Sequence, residues 1–142
     1  MTVRVERTFE LPAQPEAVWS FISDPEKRAR PISVVADFEQ TGPRTATWSV
    51  KLPIPYVDRH VAVETEEVEV DPPNYVEFVG RSKVMRVVGS HELEAVDGGT
   101  RLVTRFTVDG KLPGVERFFK RNMDDELANV EQALLADLGL EA

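Results

Sequence analysis

The stretch between Ser33 and Asp109 constrains the fold most, because short apolar/polar alternations follow one another there without any helical pattern. Turn signals separate them at Gly42-Pro43, Asp71-Pro72-Pro73-Asn74 and Asp97-Gly98-Gly99. The pattern predicts strands at Val34–Gln40, Thr45–Leu52, Arg59–Val70, Tyr75–Ser82, Val84–Val96 and Arg101–Val108. Since no helices connect these strands, they favour an antiparallel sheet over a parallel one.

Helices are predicted only outside this stretch. A first strand, in which Val3, Val5, Phe9 and Leu11 alternate with polar residues, precedes short helices at Glu16–Ser23 and Pro25–Ala29. A last helix is predicted over Val115–Leu138, with one apolar stripe along its length. The expected fold is therefore α+β: a curved antiparallel sheet of about seven strands, two short helices after strand 1 and a long C-terminal helix across the concave face. Residues 1–142 are expected to form one domain.

Composition excludes several classes of protein. The chain has 17 Lys and Arg against 25 Asp and Glu, a net charge of −8, which disfavours binding to nucleic acid or anionic lipid. It contains no Cys, so disulfides and thiolate chemistry are excluded. No apolar run approaches the roughly 20 residues of a membrane span, and the first residues do not resemble a signal peptide. An acidic cytoplasmic protein without stable membrane insertion is expected.

Several motifs resemble one superfamily. They are Phe9-Glu10-Leu11-Pro12-Ala13, Pro15-Glu16-Ala17-Val18-Trp19, Ser23-Asp24-Pro25-Glu26, Asp71-Pro72-Pro73 and Gly98-Gly99-Thr100-Arg101-Leu102. Together they resemble the START/SRPBCC superfamily, which has the helix-grip fold, over nearly the whole chain. The chain is most similar to the polyketide cyclase/dehydrase-like branch, near the group typified by the G subunit of carbon-monoxide dehydrogenase. The resemblance implies a hydrophobic ligand, such as a lipid or polyketide, held between the sheet and the long helix.

The inward faces of the strands and of the last helix supply candidate ligand-binding residues. They are Trp48, Val50, Val63, Phe78, Met85, Val87, His91, Thr104, Phe106, Phe119, Asn122, Met123 and Leu127. A filled core is the alternative, because protein interiors are normally packed. The cavity is implied by the resemblance rather than by the spacing of the residues.

Polar side chains in phase with these apolar faces are the more informative candidates. His91 either hydrogen-bonds a ligand or acts as an acid/base, unless it is a core histidine bonded to a backbone carbonyl. A β-bulge at Gly89 is an alternative that would turn His91 to the other face of the sheet. Asn122 and Glu126, one helical turn apart, either reach the ligand or flank the apolar stripe.

Two apolar loops, Leu52–Val57 and Leu112–Phe118, are candidates for the cavity mouth. The residues assigned to it are Ile54, Tyr56, Arg59, Leu112 and Val115. Arg59 would bind a ligand carboxylate there, with a solvated strand-end arginine as the alternative. Ordinary loop packing is the alternative for the apolar residues.

Metal and cofactor motifs are missing from the sequence. His60 and Glu64 share a strand face but lie ~13 Å apart at i and i+4, too far for a common ion. The acidic run Glu64–Glu69 is interpreted as a solvated face, and no phosphate loop is present. No metal and no cofactor are expected.

Three functions remain open. The favoured one is a binding or carrier protein for a small hydrophobic ligand that is lipid-, polyketide- or quinone-like. The second is a cyclase/dehydratase-type enzyme with His91 as acid/base. The third is an accessory protein of a larger enzyme complex. A protein partner or a homodimer is compatible with all three.

Overall fold

The computed structural model describes residues 2–54, 60–112 and 114–140. Its elements are, in chain order, β1 (Thr2–Leu11), α1 (Pro15–Ile22), α2 (Pro25–Ala29), β2 (Val35–Gln40), β3 (Thr45–Val50), β4 (Val61–Asp71), β5 (Tyr75–Arg81), β6 (Met85–Val96), β7 (Gly99–Gly110) and α3 (Val115–Asp137).

The seven strands form one curved antiparallel sheet in the order β1-β7-β6-β5-β4-β3-β2. Strands β2 to β7 follow one another as a meander, and β1 joins the far edge by pairing with β7. That pairing runs from Thr2 opposite Asp109 to Leu11 opposite Thr100, so the first and last strands lie side by side. α3 follows β7 and packs against β1 and β7. The predicted helix-grip architecture is confirmed.

Local sequence explains where the helices begin and end. Pro15 opens α1, where its fixed φ suits the first turn. The Asp24 carboxylate caps α2 by accepting hydrogen bonds from the backbone N–H groups of Glu26 and Lys27. After α3, Gly139 has a φ of +72°, and the Leu140 N–H donates to the Leu135 carbonyl at 2.8 Å. This is a Schellman motif, which favours the glycine found there.

The core lies between the sheet and the helices. The α3 stripe supplies Phe119, Met123, Leu127, Val130 and Leu134, all of them buried. The side chains of the facing strands are also apolar and buried, including Phe9 on β1 and Leu102 on β7. The apolar stripe of α3 is therefore held on the sheet by the hydrophobic effect.

Strand ends depart from the predicted ones where a hairpin is tighter than its turn residues suggest. β7 begins at Gly99, opposite Val96, so only Asp97 and Gly98 form the loop. β7 is thus longer than the predicted Arg101–Val108 at both ends. β3 ends at Val50 rather than Leu52. The predicted start of β4, Arg59, lies outside the described residues.

The expectation that Glu64–Glu69 is a solvated face is wrong for the Glu67 side chain. A break in the β4–β5 register between Glu67 and Glu69 marks a bulge. The bulge leaves Val68 46% exposed. The Glu67 side chain, which precedes the bulge, is only 11% exposed. Glu67 is in phase with the inward residues Val63 and Thr65, so the strand alternation itself turns it towards the core. The bulge follows Glu67, and the inward phase resumes at Val70.

Candidate ligand-binding site

A small apolar cavity lies in the core where β3, β6 and β7 meet α3. Its volume is about 20 Å³, which is room for roughly one water-sized sphere. Every described residue that lines it is apolar: Ile32, Val34, Val35, Trp48, Val50, Met85, Val87, Phe106, Val108, Phe119 and Met123. A dry cavity with such walls attracts apolar molecules rather than water.

The structure brings together about half of the predicted binding residues around this cavity. Those that line it are Trp48, Val50, Met85, Val87, Phe106, Phe119 and Met123. Val63, Phe78 and Leu127 are buried in the surrounding core without lining it. The polar candidates His91, Thr104 and Asn122 do not line it either.

Sequence reasoning missed four wall residues, Ile32, Val34, Val35 and Val108. Val108 follows Phe106 at strand spacing, so continuing the alternation along β7 would have found it. The other three lie between α2 and the start of β2, where the chain crosses from the helices to the sheet. The apolar run after Pro31 was their only signal.

A row of aromatic rings borders the cavity. The Trp48 and Phe78 ring centroids are 5.7 Å apart, and those of Phe78 and Phe106 are 5.9 Å apart. Gly89 lies between the two phenylalanines in the strand register. A Cβ at Gly89 would be 2.5 Å from the Phe78 ring and 3.0 Å from the Phe106 ring, so only glycine fits beneath both.

His91 keeps its inward phase, because the β6 pairing passes through Gly89 without a bulge. It is 1% exposed, and its Nδ1 lies 2.9 Å from the Thr104 Oγ1. The Phe106 ring stands edge-on to the imidazole at a centroid distance of 6.2 Å. Burial, followed by the positive charge of Arg28, lowers the pKa of His91 to about 3. His91 is therefore neutral at pH 7.

Arg28 on α2 is an unforeseen buried charge near this end of the core. One of its terminal nitrogens donates to the Ile22 carbonyl at 2.8 Å, and the other to the Glu67 carboxylate at 2.9 Å. Its guanidinium lies 5.3 Å from the centroid of the Phe78 ring. Burial lowers the pKa of Arg28, while the hydrogen bond and the charge of Glu67 raise it. The pair joins α2, the end of α1 and the bulge of β4.

The two polar candidates on α3 have different roles. The Asn122 amide donates to the Phe118 carbonyl of its own helix at 2.8 Å. Glu126 is 3% exposed and accepts hydrogen bonds from the N–H of Ser33 at 3.0 Å and from its hydroxyl at 2.8 Å. Ser33 lies between the cavity residues Ile32 and Val34, so Glu126 fixes part of the cavity wall to α3.

Of the predicted mouth residues, Tyr56 and Arg59 lie outside the described residues. Ile54 and Leu112 are half-buried against the core, and Val115 is fully buried. A Cβ at Gly114 would lie 3.8 Å from the Ile54 Cβ, which shows that the two loops approach each other. Val115 is therefore a core residue, since no part of it is exposed.

Among residues 2–54, 60–112 and 114–140, no three His, Asp or Glu side chains are grouped so that they could hold a metal ion. His60 instead lies 3.2 Å from the Ser49 hydroxyl through its Nδ1. No helix in the described part of the chain is both long enough and apolar enough to cross a membrane.

The sheet wrapped against a long C-terminal helix, with an apolar cavity between them, defines a START-like helix-grip protein. The chain belongs to the family described as polyketide cyclase / dehydrase and lipid transport, whose model matches residues 2–134. No curated protein matches this sequence closely enough to count as a relative.

Solved structures with the same fold cover nearly the whole chain. A START superfamily protein from Mycobacterium smegmatis has a TM-score of 0.75 at 15% identity, covering 96% of this chain and 97% of its own. A protein from Thermus thermophilus has a TM-score of 0.70 at 25% identity, with coverages of 96% and 98%. The Zhui aromatase/cyclase from a Streptomyces species has a TM-score of 0.68 at 15% identity, with 95% of both chains covered.

Proposed function

We propose that this protein is a non-enzymatic binding or carrier protein for a small hydrophobic molecule, held between the sheet and α3. Lipid-, polyketide- and quinone-like molecules fit this description, and the cytoplasm is the proposed location. The observation that carries the proposal is the cavity whose eleven lining residues are all apolar. Membership of a family that includes lipid transport in its description supports it.

A ligand larger than one water needs the cavity walls to move. Met123 and Phe119 on α3 are suited to this, because they belong to a single helix that packs across the sheet. Met123 has three rotatable side-chain bonds and fills irregular space without a fixed shape. In this proposal it occupies the ligand's volume in the empty protein and rotates away when the ligand enters.

An enzyme of the cyclase/dehydratase type, with His91 as acid/base, is less well supported. A general acid or base works best with a pKa near the operating pH, whereas that of His91 is lowered to about 3. The imidazole is also fully buried behind Phe106. The third candidate is an accessory role in a larger enzyme complex, through a protein partner or a homodimer. Because an accessory protein of this kind needs no ligand, the dye-binding test below also tests it.

The test uses the neutral dye N-phenyl-1-naphthylamine, which fluoresces in apolar surroundings. The native protein at pH 7 should bind one dye per chain. Met123→Trp should weaken that binding by about tenfold or more, because the larger side chain fills the cavity while remaining apolar. The matched control is Val68→Trp, which adds the same indole at an exposed position on the β4 bulge. It should bind the dye like the native protein.

Two outcomes would contradict the proposal. Dye binding that appears only in urea, on partial unfolding, would mean that the native interior is a packed core. Equal binding by Met123→Trp and the native protein would place the dye elsewhere. Native mass spectrometry of the purified protein adds a direct check, with one small apolar molecule per chain as the expected result.

A further inference from the structure

His91 has a buried nitrogen that the fold leaves without a partner. Its Nδ1 is engaged by Thr104, but within the described residues no hydrogen-bond partner reaches its Nε2. Buried polar atoms almost always have a partner, either in the protein, in ordered water or in a ligand. An unsatisfied nitrogen on a side chain that is 1% exposed therefore needs an explanation.

This nitrogen belongs to a residue that lies one ring behind the apolar cavity. Phe106 lines the cavity and also contacts the His91 imidazole edge-on. Phe78 packs edge-on against Phe106, and both rings lie directly over Gly89, where a Cβ would clash with them. A change in the Phe106 rotamer would therefore connect the cavity to the imidazole. The positive charge of Arg28 is also close enough to His91 to lower the pKa of the imidazole, although burial is the larger cause.

We propose that the ligand is an otherwise apolar molecule with one hydroxyl group, and that this hydroxyl hydrogen-bonds the His91 Nε2 once Phe106 has rotated. This inference deepens the proposed function and rests on it. The apolar body of the ligand occupies the enlarged cavity between Trp48, Phe106 and Met123. His91 is then the residue that selects among ligands of similar size.

The chemistry of a neutral imidazole identifies the hydroxyl. One ring nitrogen carries a proton and donates, and the other accepts. Because the Thr104 hydroxyl donates or accepts equally well, Nε2 is the acceptor in one tautomer and the donor in the other. A hydroxyl satisfies both cases, whereas an ether oxygen satisfies only one. A carboxylate on the ligand is disfavoured because the nearby cation, Arg28, already pairs with Glu67 and is not free to neutralise a second negative charge.

The experiment compares 2-naphthol with naphthalene, which differ by the hydroxyl alone. The native protein should bind 2-naphthol about tenfold more tightly than naphthalene. His91→Phe, which keeps an aromatic ring but removes the nitrogen, should abolish this preference while naphthalene still binds. The matched control is His60→Phe at the other, exposed histidine, which should retain the preference.

A second measurement needs no variant and therefore does not depend on the folding of one. In ¹⁵N spectra of the histidine rings, the His91 Nε2 signal should shift on addition of 2-naphthol and stay in place on addition of naphthalene. A shift with neither compound, although both bind, would overturn the His91 assignment.

The outcomes separate the two proposals. If naphthalene and 2-naphthol bind the native protein equally well, or if His91→Phe keeps the preference, the hydroxyl inference is overturned and the apolar binding function stands. If neither compound binds, the proposed function itself fails.

Discussion

At the scale of single residues, His91 combines a stability cost with a candidate binding role. Its imidazole is buried, has a hydrogen-bond partner among the described residues at one nitrogen only, and has a pKa lowered to about 3. The cause is chiefly burial, which disfavours the charged form, and secondly the charge of Arg28. Such a residue makes the stability of the fold depend on pH.

The direction follows from the two protonation states. The unfolded chain binds a proton at His91 below about pH 6.5, while the folded chain does so only near pH 3. Between these two pH values the unfolded chain binds the proton and the folded chain does not. The contribution of His91 to the free energy of unfolding is therefore fully present above pH 6.5 and is lost as the pH falls towards 3. Between pH 7 and pH 5 this contribution amounts to about 2 kcal/mol.

Urea unfolding of the native protein and of His91→Gln at both pH values measures this contribution. The native protein should lose about 2 kcal/mol more than the variant between pH 7 and pH 5. Because the other titrating groups are shared, the difference isolates His91. Equal losses in the two proteins would show that His91 keeps an ordinary pKa in the folded state.

At the scale of elements, α3 is the part that closes the core. Leu127 lies midway along its stripe and has no exposed surface. Leu127→Asp would bury a carboxylate among apolar residues and should destabilise the protein by at least about 4 kcal/mol. Thermal unfolding followed by circular dichroism measures this loss. The control Leu140→Asp, at a residue that is 38% exposed beyond the helix, should melt within a few degrees of the native protein. A native melting temperature for Leu127→Asp would mean that α3 is not docked there.

The hydrogen bonds of Glu126 show how α3 also shapes the cavity wall. Its carboxylate accepts two hydrogen bonds from Ser33, next to the wall residues Ile32 and Val34. Charge-assisted hydrogen bonds of this kind are stronger than neutral ones. The segment before β2 is therefore expected to move together with α3 when the cavity enlarges.

The elements were largely predictable from local patterns, and the site only in part. Alternation in β1 and the α3 stripe follow from short-range periodicity, and Asp24 and Gly139 mark helix ends by their own chemistry. The alternation of β4 turns Glu67 inward, but its pairing with an arginine 39 positions away was not predictable. The contact of Glu126 with Ser33 spans 93 positions, and periodicity contains no information on such pairs.

At the scale of the whole molecule, the sheet and α3 enclose an interior that is almost filled. The cavity of about 20 Å³ admits no organic ligand without rearrangement. The outer face of the sheet is fixed by cross-strand ion pairs, such as Arg105 with Glu6 on β1 and Arg101 with Glu10. These pairs are exposed and so contribute little each, but they favour one strand register. In the proposed function, ligand entry requires α3 to move relative to the sheet.

The central claim, that the native fold binds a hydrophobic molecule in its interior, is tested most directly by urea unfolding at increasing N-phenyl-1-naphthylamine concentration. A ligand that binds only the native state raises the free energy of unfolding, by about 2.7 kcal/mol at a free concentration of 100 times Kd. This rise is expected for the native protein and for Val68→Trp, and a much smaller one for Met123→Trp. An unfolding midpoint that stays constant or falls as the dye is added would show that the native interior does not bind it.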